Sequence, residues 1–103
     1  MTNAEKILAI QYAIDHPNTE ELYYDLLERL GDPKTNYYEY MSTEPINCDT
    51  ELQRLPDADY DLCTALLTML LREDHFSNGA LQERCAAGQV GAILRRMIIL
   101  LKS

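Results

Sequence analysis

Tryptophan is absent from this chain, phenylalanine occurs once, and only three cysteines, four glycines and four prolines are spread over its 103 residues. Cys48, Cys63 and Cys85 are odd in number and lie fifteen and twenty-two positions apart. That spacing suits neither a disulfide framework nor the close C-x2-C pairs of zinc sites. The three are expected as reduced, partly buried thiols, with no metal and no cofactor. No run approaches the roughly eighteen uninterrupted apolar residues of a membrane span. The longest, Met97 to Leu101, follows Arg95 and Arg96 and reads as the buried end of a helix. Met1 is not followed by a basic head and an apolar region, so a soluble, cytoplasmic protein is expected. Glycine and proline sit between periodic segments rather than in low-complexity runs, and 47% hydrophobic residues suffice for a folded core. At this length that means a single domain, residues 1–103.

Positive charge is the other scarcity. Nine basic side chains face seventeen acidic ones, and the imbalance is local: residues 1–61 hold fourteen acidic and four basic groups, residues 62–103 three acidic and five basic. A chain with net charge −8 is repelled by phosphate backbones and anionic lipid, which argues against direct nucleic-acid or membrane binding. A protein partner with a basic surface is the class left open, beside the plainer reading that the charge maintains solubility.

What is present is helical periodicity. Ile7, Leu8, Ile10 and Ile14 recur at helical spacing and predict a helix over 3–15, closed by His16-Pro17. A second, over 19–30, starts at Asn18 with Glu21 three positions on, buries Leu22, Tyr23, Leu26, Leu27 and Leu30, and stops at Gly31 before Asp32-Pro33. Residues 31–57 carry no sustained period and predict an irregular, tyrosine-rich connection with short turns near Tyr37–Met41 and Thr50–Leu55. The run 58–74 is apolar over most of its circumference, through Leu62, Cys63, Leu66, Leu67, Met69, Leu70 and Leu71, and should be the central helix. Helices over 79–87 and 89–102 follow, the last facing inward with Val90, Ile93, Leu94, Met97, Ile98 and Leu101. The expected fold is an all-α, compact single-domain bundle of five or six helices.

Two places hold candidate functional residues. Arg72, Asp74, His75 and Asn78 crowd the turn after the central helix and form a candidate ligand-binding turn, with Glu83 or Arg84 across it. A histidine beside a carboxylate suggests general-base chemistry, but neighbours on a helix point about 100 degrees apart, and there is no serine nucleophile in a strained turn and no second histidine nearby. As a plain connector the turn is well explained: basic groups near a helix C-terminus, Phe76 packing into the core, and Ser77-Asn78-Gly79 as turn and cap. The second place is an acidic, tyrosine-bearing face of Tyr24, Asp25, Glu28, Tyr37, Tyr38, Glu39, Tyr40 and Glu44, with two or three exposed rings expected. The alternating Asp57, Asp59 and Asp61 lack the glycine and glutamate of a calcium loop, and one of Asp57 or Asp59 is expected to cap the central helix.

The residues Arg72, Asp74, Phe76, Gly79 and Leu81, with Gly88 and the ending Val90-Gly91-Ala92-Ile93-Leu94, resemble the C-terminal part of a small bacterial family catalogued as domain of unknown function 6508, over about residues 58–100. The resemblance implies a small helical bacterial protein and no activity. His75 stands where the family's pattern has a second arginine, so no role resting on a basic residue there carries over.

The expectation is a small acidic, non-enzymatic protein-binding module acting by stoichiometric contact, with a homo-oligomer compatible. One alternative is a bacterial or phage inhibitor that occupies a basic nucleic-acid-binding groove of its partner. Another is a small-molecule binder or small enzyme at the turn from Arg72 to Gly79.

Overall fold

The long apolar run after Asp59 forms the axis of the molecule. In the computed structural model, which describes residues 2–16, 20–31 and 34–103, helix α4 (Tyr60–Phe76) buries every residue from Cys63 to Leu71. Around it lie α1 (Asn3–Asp15), α2 (Glu20–Arg29), α3 (Cys48–Leu52), α5 (Ala80–Ala86) and α6 (Gln89–Lys102), with 3-10 turns at Tyr37–Tyr40 and Leu55–Asp57. The described residues contain helices and no strand, and the fold is the all-α single domain that the periodicity predicts. A radius of gyration of 12.6 Å sits at the ~13 Å of a close-packed chain of about 100 residues.

Side chains that the sequence names for the core mostly fill it. Tyr23, Leu26 and Leu27 of α2 with Leu30 just after it, and Val90, Ile93, Leu94, Met97 and Ile98 of α6, are buried against α4 and its neighbours. The two threonines inside α4 remain satisfied by bonding back along the helix: the Thr64 hydroxyl donates to the Asp61 carbonyl and that of Thr68 to the Thr64 carbonyl, both at 2.8 Å.

With one exception, helix α1 turns inward the face that its large residues suggest: Ile10 is buried and Ile7 and Ile14 pack on the core. Leu8 lies exposed, and Ala9, Ile10 and Ala13 are the buried positions. Helix α1 packs most extensively against α6, and Ala9 and Ala13 join Ile10 in its buried face. Its start is held by a capping box: Thr2 accepts from the Glu5 amide at 3.2 Å while Glu5 accepts from the Thr2 amide at 3.1 Å. The expected cap at Asn18 and stop at Asp32-Pro33 lie outside the described residues.

Phe76 corrects another expectation. Helix α4 runs on through His75 to Phe76 instead of ending near Asp74, and the ring emerges 84% exposed. The turn is plugged instead by Leu81, which is buried. Replacing Phe76 by serine should therefore change stability by less than about 0.5 kcal/mol. A loss above about 2 kcal/mol in urea unfolding would restore the anchoring role.

Candidate functional site

The irregular segment is built around the buried carboxylate of Glu51. Asn47 caps the short helix α3 by accepting from the Thr50 amide at 3.0 Å, and this turns Glu51 inward until no part of its side chain is exposed. Its carboxylate accepts from the Ser42 amide at 3.0 and 3.1 Å, the Ser42 hydroxyl, the Thr43 amide at 2.8 Å and, very closely, the Thr43 hydroxyl. Arg54, one turn on, donates to the same carboxylate at 2.8 Å and to the Tyr40 carbonyl at 2.9 Å. Burial pushes the Glu51 carboxyl up, but hydrogen bonds from Thr43, Ser42 and Arg54 outweigh it and hold it down at about 2. The loop from Met41 to Asn47, with its cis Glu44-Pro45 bond, is thus latched to α3 by a permanent carboxylate.

This latch holds the loop that follows Tyr37–Tyr40, the second half of the expected tyrosine-bearing face. Tyr37 packs on the core and stands edge-on to Tyr38, ring centroids 6.0 Å apart, which leaves Tyr38 projecting at 59% exposure. Glu39 and Glu44 are exposed, with Glu39 accepting from the Asn36 amide group at 2.8 Å. Tyr24 and Tyr40 are half-buried, so one ring of the four stands out rather than two or three. Asp25 and Glu28 are exposed on α2, which like the Tyr37–Tyr40 turn packs on α4. Beside the loop lies a cleft of about 390 Å³ between Tyr38, Met41, Glu44, Pro45 and Ile46.

At the second place, the turn from Arg72 to Gly79, the side chains disperse. Gly79 precedes α5 at φ 90 with no capping side chain, and Asp74 fills that role from seven positions earlier, accepting from the Leu81 amide at 3.0 Å. The expected cap within Ser77-Asn78-Gly79 is therefore replaced by Asp74. Arg72, His75 and Asn78 are exposed, and His75 stands edge-on to Phe76.

The residue that gathers charge is Arg84, which donates to both oxygens of Glu73 at 3.0 and 2.8 Å, to Asp49 at 2.5 Å and to Gln89 at 3.0 Å. Its partner is Glu73, not Asp74 or His75. The Arg84 guanidinium lowers the Glu73 carboxyl and is itself stabilised in its charged form. Burial, reinforced by the Glu73 carboxylate, pushes the Cys48 thiol up to about 11, so it stays protonated and donates to Glu73. The cluster ties α3, α4, α5 and the start of α6 together, and its cation already holds two carboxylates. Of the expected caps for the central helix, Asp59 takes the position, accepting from the Leu62 amide at 2.8 Å, while Asp61 pairs with Lys34 at 3.2 Å. Among the described residues no group of three or more His, Cys, Asp or Glu side chains is arranged to hold a metal ion, and no helix is long and apolar enough to cross a membrane.

Sequence reasoning missed Glu51, Arg54, Asp49 and Gln89. The one signal available was the Glu51-x-x-Arg54 spacing of an ion pair on a helical turn.

No curated protein and no solved structure matches the chain. A family model, described as family of unknown function (DUF6508), matches residues 1–102, so the likeness noted at the C-terminal half runs through the acidic half as well. The protein belongs to that family.

Proposed function

We propose that this protein is a non-enzymatic docking module that contacts a basic surface of a protein partner through Tyr38, Glu39 and Glu44, with Asp25 and Glu28 on α2 adding to its field. One observation carries the reading: most of the positive charge of the acidic half is engaged by its own residues. Of its four basic side chains, Arg54 serves Glu51, Lys34 is buried against Asp61, and Lys6 lies over the Tyr60 ring at 5.8 Å; only Arg29, in the last turn of α2, is exposed. The exposed carboxylates therefore keep most of their outward field, which steers association with a basic surface.

The test is affinity capture with the wild type and with the double reversal Glu39→Lys, Glu44→Lys, at about 50 and about 300 mM salt. A stoichiometric partner retained by the wild type at low salt, and released by salt and by the reversal, is the expected result. Equal retention by both proteins at both salts would overturn the reading. Release of the retained partner by added duplex DNA would identify its basic surface as a nucleic-acid groove.

A further inference from the structure

The cleft beside the latched loop has the chemistry of a receptor for one side chain. It offers a projecting aromatic ring, an apolar wall and a carboxylate: Tyr38, then Met41, Pro45 and Ile46, then Glu44. A volume of about 390 Å³ lies at the small end of ligand pockets, which run from about 300 to 1,000 Å³, and suits a side chain rather than a large cofactor. The cleft under Arg84, of about 460 Å³, differs in kind, because its cation is already shared between Glu73 and Asp49.

The geometry points to the cleft between Tyr38 and Glu44 as the seat of an arginine side chain from the partner protein. This rests on the docking function above and names what docks. One property of the guanidinium selects arginine, and two properties of the cleft suit a long basic side chain. A planar guanidinium can lie flat on a ring face while two of its N–H groups fork onto a carboxylate, a bidentate geometry that the point charge of an ammonium lacks. Met41, Pro45 and Ile46 can cover its methylene stem while Glu44 meets the head. The loop is fixed before binding: Glu51 holds Ser42 and Thr43, and the Thr43 hydroxyl accepts from the Asn47 amide at 2.9 Å. Little loop entropy is then lost on docking, so a single side chain gives measurable affinity.

The probes are two blocked pentapeptides, one arginine flanked by glycines and its lysine counterpart, titrated into labelled protein and followed by amide chemical shifts. Arginine is expected to shift residues 38–46 and to bind about fivefold more tightly than lysine. Tyr38→Ala should weaken the arginine peptide about fivefold and Glu44→Gln about tenfold. Glu83→Gln, an exposed carboxylate on α5, should change nothing. Circular dichroism and melting of each variant establish that its fold is intact, and the Glu44 and Glu83 changes keep side-chain volume.

Equal, salt-sensitive binding of both peptides with shifts spread over Asp25, Glu28 and the loop would overturn the arginine seat and leave the acidic docking face standing. No shift from either peptide at low salt would overturn both. Arginine-selective shifts at residues 72–84 instead would move the seat to the turn after α4 and overturn its placement here.

Discussion

Glutamine at position 51 is expected to lower stability by about 3 kcal/mol and to loosen the loop from Met41 to Asn47. The substitution keeps volume, so the loss is electrostatic. An amide presents one acceptor oxygen where the carboxylate presented two, and its own N–H groups face the donors of Ser42, Thr43 and Arg54. Removing one partner of a buried pair costs about 3–5 kcal/mol. The lower end applies because Arg54 is partly exposed and water can take up its charge. Urea unfolding checks the magnitude, and hydrogen exchange at Ser42 and Thr43 checks the location. A loss below about 1 kcal/mol would mean that the latch contributes no more than an ordinary neutral hydrogen bond.

The same carboxylate predicts a pH profile. The Glu51 carboxyl titrates at its ordinary 4.5 in the unfolded chain and at about 2 in the folded one. Its contribution is therefore fully present above about pH 4.5 and is lost as pH falls toward 2. Over that window the group accounts for about 3 kcal/mol, at roughly 1.4 kcal/mol per pH unit. Glu73, also lowered, adds a smaller loss of the same sign. The glutamine variant lacks the Glu51 component, so the two stability curves should converge below pH 4.5. Curves that stay parallel to about pH 2.5 would show that Glu51 is not held low.

How far the sequence discloses this molecule depends on what holds each part. Helices α4 and α6 are held by apolar faces, and the spacing of Leu66, Leu70, Ile93 and Met97 displays those faces directly. Helix α1 is legible through Ile7, Ile10 and Ile14, whereas Ala9 and Ala13 are buried without any such signal and the larger Leu8 points to solvent. The segment from Lys34 to Asp57 is held by a polar knot, and polar knots have no period. Glu51 and Arg54 look like a surface pair three residues apart, and only the donors eight and nine positions earlier show that the pair is internal. The charged turn at Arg72 is conspicuous in the sequence for good reason. Yet which of its residues acts depends on the angle between α4 and α5, and that angle brings Glu73 to Arg84 and Asp74 to the Leu81 amide. The tyrosine-rich segment was legible as composition; that Tyr38 alone among the four rings projects follows from which neighbours pack on the core.

Methionine at position 84 is expected to destabilise the protein by about 2–3 kcal/mol, nearly all through Glu73. Two distances alone would suggest otherwise, since Asp49 approaches Arg84 to 2.5 Å and Glu73 to 2.8 Å. Solvent decides the order. The Asp49 side chain is 76% exposed and that of Glu73 24%, so water and salt screen the shorter contact far more. Glu73 also receives both prongs of the guanidinium, which fixes its orientation as a single nitrogen cannot. Double-mutant cycles separate the two: Arg84→Met with Glu73→Gln should give a coupling of about 2 kcal/mol, and with Asp49→Asn less than about 0.5 kcal/mol. Because α5 is only seven residues long and is tied to α4 through this pair, the Arg84 variant should also lose hydrogen-exchange protection first over Ala80–Ala86. A coupling to Asp49 as large as that to Glu73 would reverse the order, and would mean that the surface contact with α3, rather than the fork onto α4, holds this end of the bundle.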